Sequence, residues 1–313
     1  MFIMGIGFYK PNQAYSNIPK SGTKDNHWST MVQLAFQGHD ETENSVNRGN
    51  YVELLKYTAE YDPLLAEHLE TSTMFKGISN RIQNDLIQAV GSTVLSAIKQ
   101  EIIEVPFVAV MVDETSDVAN KAQFSIVLLY VHEGEIKERF LGFCDISSDK
   151  HAQAIAELIR HFLSEFGCNE KLIAQTYDGA ATMAGNLNGV QALIKVTHPE
   201  ALFFHCYAHN QANDILYCQE KIQETRRSIA ALRDDYEGVF QETVSQVVER
   251  SFSTLKRIKS YSRNSTGGKR LSHLGIISIE ARLLGELRKK KEFFDEVVTK
   301  FASQERRIEF QFR

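Results

Sequence analysis

Two aspartates stand where a sheet would put chemistry. Asp113 ends the apolar run Phe107-Val-Ala-Val-Met-Val112, and Asp178 ends the run Leu172-Ile-Ala-Gln-Thr-Tyr177. In open α/β sheets, sites are built in the crevice beyond the carboxyl ends of strands. If these two strands are neighbours, their carboxylates converge, and such a pair repels unless a divalent cation sits between them. The plainer alternative is that each caps a turn, Asp113 before Glu-Thr-Ser and Asp178 before Gly179, since Asp is common at strand-to-loop junctions. Glu114 and Asp117 are competing acids nearby; Asp113 is preferred because it directly ends the apolar run.

Cys206-Tyr-Ala-His209 offers sulfur and nitrogen donors, with His205 and Cys218 close in sequence. A structural zinc site needs four ligands at recognisable spacing, and no second paired cluster accompanies this one, so zinc is not expected. A core cysteine and a satisfied histidine at a strand-to-helix junction account for the pair equally well. Further on, Arg250, Lys256, Arg257, Lys259, Arg263, Lys269 and Arg270 follow one another without an intervening acid, beside Phe252 and Tyr261. Such a stretch can displace counterions from a polynucleotide. A solvated helix face would read the same way. No phosphate-cradling glycine loop is present, and Gly267-Gly268-Lys269 has the wrong context for one, so a small-molecule α/β enzyme ranks last.

These residues need a scaffold to position them. The chain has 313 residues, 43% hydrophobic and 24% charged, with 35 basic and 40 acidic side chains and a net charge of −5. That supports one large domain or two modest ones with a real core, and excludes disorder as the main state. Overall charge does not advertise nucleic-acid binding. The four cysteines form no CxxC pair, no apolar run approaches a bilayer span, and no signal peptide is read, so the expected setting is intracellular, soluble and free of membrane.

Residues 1–50 read as a loosely ordered arm, and 51–105 as helical, with a break at Pro63 and a long amphipathic helix from Asn80 to Glu101. Strands are expected up to Val112, over Phe124–Val131 and over Phe140–Ile146, with a turn at His132-Glu-Gly134. A helix over Ala152–Phe166 stops at Gly167, and strands follow at Leu172–Tyr177 and Ala201–His205 around a helix from Val190 to Val196. The expected fold is α/β: a mixed five-stranded sheet flanked by helices over 106–220, and a helical region over 221–313 completing it. Leu274, Ile277, Leu283, Leu284 and Leu287 form an apolar stripe in the last helices, either core or interface. Arg288-Lys-Lys-Lys291 is either a solvated face or a basic address or DNA contact.

Taken together, the strand order, the Asp at the end of the first strand, the Asp178-Gly179 pair, Cys206-Tyr-Ala-His209 and Glu249-Arg-Ser-Phe-Ser253 resemble the ribonuclease-H-like core of hAT-superfamily DNA transposases. Leu255-Lys-Arg-Ile258 resembles part of that family's C-terminal signature, and Leu271 to Glu280 its dimerisation region. The stretch from Phe36 to His209, with Asn50-Tyr-Val-Glu-Leu-Leu55, is similar to the zinc finger MYM-type and TTF-type transposase-like branch.

The resemblance implies a catalytic and metal-binding triad of Asp113, Asp178 and Glu249 holding Mg²⁺ or Mn²⁺ for cleavage and strand transfer on DNA. It also implies a supporting CxxH element at Cys206 and His209, DNA contacts at Arg250, Lys256, Arg257, Lys259 and Arg263, a homodimer through the C-terminal helices, and a nuclear location. The family's large helical insertion is missing from the short connection between His209 and Glu249, the single tryptophan, Trp28, lies in the arm, and no N-terminal zinc finger is read. The implied protein is therefore a truncated transposase relative with residual or no activity, or a domesticated, non-catalytic DNA-associated or dimerisation module.

Overall fold

The computed structural model describes residues 45, 48–72, 76–116, 121–206, 246–259, 266 and 268–304. Two compact units divide the chain: residues 97–256, and residues 1–96 together with 257–313.

The unit spanning 97–256 holds a five-stranded sheet in the order β3-β2-β1-β4-β5. Its strands are β1 (Val108–Ser116), β2 (Ala122–His132), β3 (Glu135–Asp145), β4 (Leu172–Tyr177) and β5 (Leu202–His205). β2 is antiparallel to both β1 and β3, whereas β1, β4 and β5 run parallel. Sequence explains the switch. Between β2 and β3 only Glu133 and Gly134 intervene, both at positive φ (54° and 78°), the twist-matched geometry of a two-residue hairpin. Between β3 and β4, and between β4 and β5, the chain has room for a crossover helix, as parallel pairing demands.

Those crossovers are α4 (Ala152–Glu165) and α6 (Val190–Thr197), numbered after the N-terminal helices α1 (Asn50–Ala59), α2 (Pro63–Thr71) and α3 (Asn80–Glu104) and the short α5 (Ala181–Ala184). α4 buries Ile155, Ala156, Ile159 and Leu163, the i, i+4 stripe of an amphipathic helix, and Gly167 leaves it at φ 65°. Arg160 donates to the Leu193 carbonyl at 2.7 Å, tying α4 to α6. Gln175 in β4 donates to the carbonyls of Gln191 and Ala201, fixing both ends of the second crossover.

Two strand boundaries differ most from the sequence reading. β1 does not stop at Asp113: its ladder with β2 continues to Ser116 opposite Ala122, so the aspartate lies inside the strand. The apolar run stops there because Asp113 is a polar side chain in a paired position, not because pairing ends. β3 starts at Glu135 rather than Phe140, since the tight turn already pairs His132 with Glu135. Its polar first half lies on an edge strand, where apolar alternation is not required.

The other unit comprises α1, α2, the start of α3, and α8 (Gly268–Ile279), α9 (Ala281–Leu287) and α10 (Lys291–Ala302), α7 being Gln246–Ile258. Pro63 begins a helix as well as ending one, because Asp62 caps it by accepting from the backbone of Leu64 and Leu65. α3 and α8 approach closely at Gly91, where an added Cβ would lie 2.5 Å from the His273 ring. Lys300 of α10 donates to the Ser92 carbonyl and the Ser96 hydroxyl of α3 at 2.8 and 2.7 Å. Leu274, Ile277, Leu283 and Leu284 are buried within the single chain.

Candidate metal centre at the ends of β1 and β4

β1 and β4 are direct parallel neighbours, and their ladder ends with Met111 opposite Thr176. Two residues further along each chain stand Asp113 and Asp178, at the same level and at the carboxyl ends of the parallel pair. The neighbour relation that the convergence of these acids required is therefore met. Asp113 is 4% exposed, and Asp178 is half-buried just past the end of its strand. Asp178 Oδ1 accepts from the Ala180 backbone at 3.2 Å, so turn capping occupies one of its oxygens.

Glu114 does not compete with Asp113. Successive side chains in a strand alternate between faces, and Glu114 is exposed and accepts from Lys150 at 2.6 Å. On Asp113's side, its cross-strand partner is Ser125. The Ser125 hydroxyl meets the Ser251 hydroxyl at 2.8 Å, with both residues fully buried. This pair anchors α7 to the sheet beside Asp113. α7 buries Ser251, Thr254, Leu255 and Ile258, at i, i+3, i+4 and i+7, and exposes Arg250, Ser253, Lys256 and Arg257.

Glu249 lies on α7, two residues before the anchoring Ser251. Its side chain is outside the described residues, as are His209, Asp117, Cys218, Trp28 and Arg263. Among the described residues, no three His, Cys, Asp or Glu side chains gather closely enough to hold a metal ion. The two aspartates nevertheless present hard oxygen donors, the kind Mg²⁺ and Mn²⁺ take, and nothing in the donor set favours a softer metal.

Cys206 is buried, and its backbone donates to the Tyr177 carbonyl at 2.7 Å, carrying the β4–β5 pairing one step beyond β5 and up to Asp178. Burial pushes the Cys144 thiol up to about 12, helped by the charge of Glu165, and burial likewise raises Cys168 to about 11. Neither is a thiolate at neutral pH, so neither is a nucleophile.

Of the basic stretch, Arg250, Lys256 and Arg257 are exposed on α7, whereas Lys259 is 2% exposed and is not presented on the surface. Its spacing accounts for this: Lys259 stands four residues after the buried Leu255 and eight after the buried Ser251, continuing their stripe just past the end of α7. Sequence reasoning missed Ser125 and Ser251. Their signal was a small hydroxyl within the otherwise apolar core of β2, and another on the apolar stripe of α7.

Residues 27–189 match the family described as ZMYM1/FAM200, RNase-like domain.

Proposed function

From the premise that this chain belongs to the ZMYM1/FAM200 RNase-like domain family, we propose that it descends from an hAT-type DNA transposase and that the carboxyl ends of β1 and β4 form its divalent-metal site for cleavage and strand transfer on DNA. The observation that supports this reading is the parallel pairing of β1 with β4, whose register, with Met111 opposite Thr176, would bring Asp113 level with Asp178 if continued two residues further. Asp113, Asp178 and, from α7, Glu249 are the ligands of this reading. When bound, Mg²⁺ or Mn²⁺ would activate an attacking hydroxyl or water and stabilise the leaving oxygen of a phosphodiester.

The chain's own residues have separate tasks. The β1–β2 ladder holds Asp113 opposite Ser125, and the β1–β4 ladder ends two residues before it, at Met111 opposite Thr176. The Asx turn at Asp178 leaves the second carboxylate oxygen for a ligand. The Ser125–Ser251 bond fixes the helix that carries Glu249. Arg250, Lys256 and Arg257, exposed on that same helix, supply cations for a phosphate backbone.

The test is nicking of duplex DNA in Mg²⁺ or Mn²⁺ by the native chain, Asp113→Asn and Asp178→Asn. Loss of nicking in both variants supports the reading. Equal nicking by all three would remove it.

A second reading, a non-catalytic DNA-associated module in the nucleus, is favoured by the cationic face of α7. DNA binding that survives the amide substitutions, without nicking by the native chain, would select it. Homodimerisation through the C-terminal helices would need a face other than the Leu274, Ile277, Leu283 and Leu284 stripe, which is buried in one chain.

A further inference from the structure

The unit made of residues 1–96 and 257–313 carries two surfaces of opposite sign. One is the outer face of α1 and α2. Glu53, Tyr57, Glu60 and Tyr61 stand at i, i+4, i+7 and i+8 and are all exposed, while Tyr51, Val52 and Leu55 of the same helix are buried. Tyr57 and Tyr61 are each 57% exposed, with ring centroids 5.3 Å apart, and Leu64, 67% exposed, follows at the start of α2. Glu67 and Glu70 continue the acidic face along α2. Residues 50–71 hold five acids, and their only lysine or arginine is Lys56.

The other surface is the turn between α9 and α10. Lys289, Lys290 and Lys291 are consecutive and exposed. The backbone of Lys289 donates to the Glu286 carbonyl at 3.2 Å and that of Lys290 to the Leu287 carbonyl at 2.9 Å, so the turn is held in shape.

Both surfaces carry charge against the local helix field. The lysines crowd the N-terminus of α10, where the macrodipole is positive, whereas Glu60 caps the C-terminus of α1 and Glu70 lies in the last turn of α2, where it is negative. The chain itself does not relieve this. Among the described residues, no ion pair involves Glu60, Glu67 or the three lysines, and the pairs Arg282–Glu286 and Lys300–Glu296 nearby leave them out. Each surface supplies what the other lacks: carboxylates and tyrosine faces for an ammonium group, and lysine stems to lie along Tyr57, Tyr61 and Leu64.

We propose that the acidic, tyrosine-bearing face of α1 and α2 receives the lysine turn between α9 and α10 of a second copy of this chain, giving salt-sensitive self-association. The contact is heterologous, because each copy offers one surface and accepts the other. It uses neither Asp113 nor Asp178 nor the buried stripe of α8 and α9, so it stands or falls apart from the metal-centre reading.

The experiment is sedimentation velocity of the full chain over a concentration series. Association is expected at about 0.05 M salt and should weaken strongly at about 0.5 M, as the screening length falls from roughly 14 to 4 Å. Glu60→Lys/Glu67→Lys should raise the dissociation constant about tenfold or more, and so should Lys289→Glu/Lys290→Glu/Lys291→Glu. Mixed in equal amounts, the two variants should associate again, since every surface then meets one of opposite sign. Tyr57→Ala/Tyr61→Ala should weaken the native contact about threefold. All these side chains are exposed, so thermal midpoints should stay close to native, which keeps the mixing result decisive. A native chain that stays monomeric throughout, reversed variants that associate like the native chain, or folded variants that remain apart when mixed would each overturn the proposal. Loss of duplex DNA binding by the lysine variant, with its association unchanged, would assign the turn to DNA instead.

Discussion

At the two ends of β2 the sheet treats its acids in opposite ways. Near His132, Glu101 of α3 receives two parallel hydrogen bonds from Arg139, each 2.9 Å, and a third from the Tyr130 hydroxyl at 2.7 Å. Burial would raise this carboxyl, yet the bonds from Arg139 and Tyr130 outweigh it and hold the group below the usual carboxylate range. Glu101 thus has its complement in Arg139. Near Ser125, at the opposite end, the fold instead sets two aspartates at one level on adjacent strands. The first arrangement contributes stability; the second sets two carboxylates on neighbouring strands, the kind of arrangement in which a functional site is sought.

The comparison can be broken most directly at the compensated end. Arg139→Met should destabilise the protein by about 2–4 kcal/mol in urea unfolding, because it leaves Glu101 partly buried without its guanidinium. A negligible change would mean that the pair is ornamental. The same acid gives a pH signature. Native Glu101 keeps its charge to lower pH than an unfolded glutamate, so its contribution is complete above the ordinary carboxylate range and is lost as pH falls through the lowered native value. Glu101→Gln should flatten that acid limb of the stability profile.

Next in size is the loop after Asp178. Gly189→Ala should cost about 1–3 kcal/mol, since the new methyl meets backbone atoms that cannot rotate away. Ser251→Ala should cost about 1–2 kcal/mol by stranding the buried Ser125 hydroxyl, while the Ser125→Ala/Ser251→Ala double variant should cost less than the sum of the singles. Additive costs in that cycle would deny α7 its anchor beside Asp113.

The smallest effects belong to the acid end and the surface. Asp178→Asn keeps an oxygen for the Ala180 backbone and removes one of the facing charges, so in metal-free buffer stability should change by less than about 1 kcal/mol. Mg²⁺ should then raise the thermal midpoint of the native chain and not that of the variant. Replacing Arg250, Lys256 and Arg257 with glutamine should leave stability within about 0.5 kcal/mol. On DNA it should flatten the salt dependence of binding by about one unit of slope for each phosphate that is no longer neutralised.

Much of this was legible beforehand. Apolar runs bounded by turn residues located all five strands, and the i, i+4 stripes located α3, α4 and α6. Hairpin and crossover lengths gave the antiparallel and parallel directions, whereas the adjacency of β1 and β4 was a condition that only the sheet met. The two aspartates could be selected as well, because a charge directly after a buried run is costly unless it serves something. Boundaries resisted the same reasoning. Asp113 looked like the end of β1 because composition changes there, whereas the strand ends where its hydrogen-bonded partner does. Lys259 looked like one more exposed cation, since charge alone does not reveal which face of a chain is covered.

What the chain's letters determined was periodicity, turn chemistry and connection length, and through these the mixed sheet and its helices, because such signals act between residues near one another in sequence. Tertiary structure decided which distant groups come together: β1 beside β4 with Met111 opposite Thr176, the Ser125 hydroxyl on that of Ser251, and Gly189 closed against Gly185 beneath an exposed Leu187. These meetings depend on register and on close packing between elements, and both are set only when the whole sheet and its covering helices assemble.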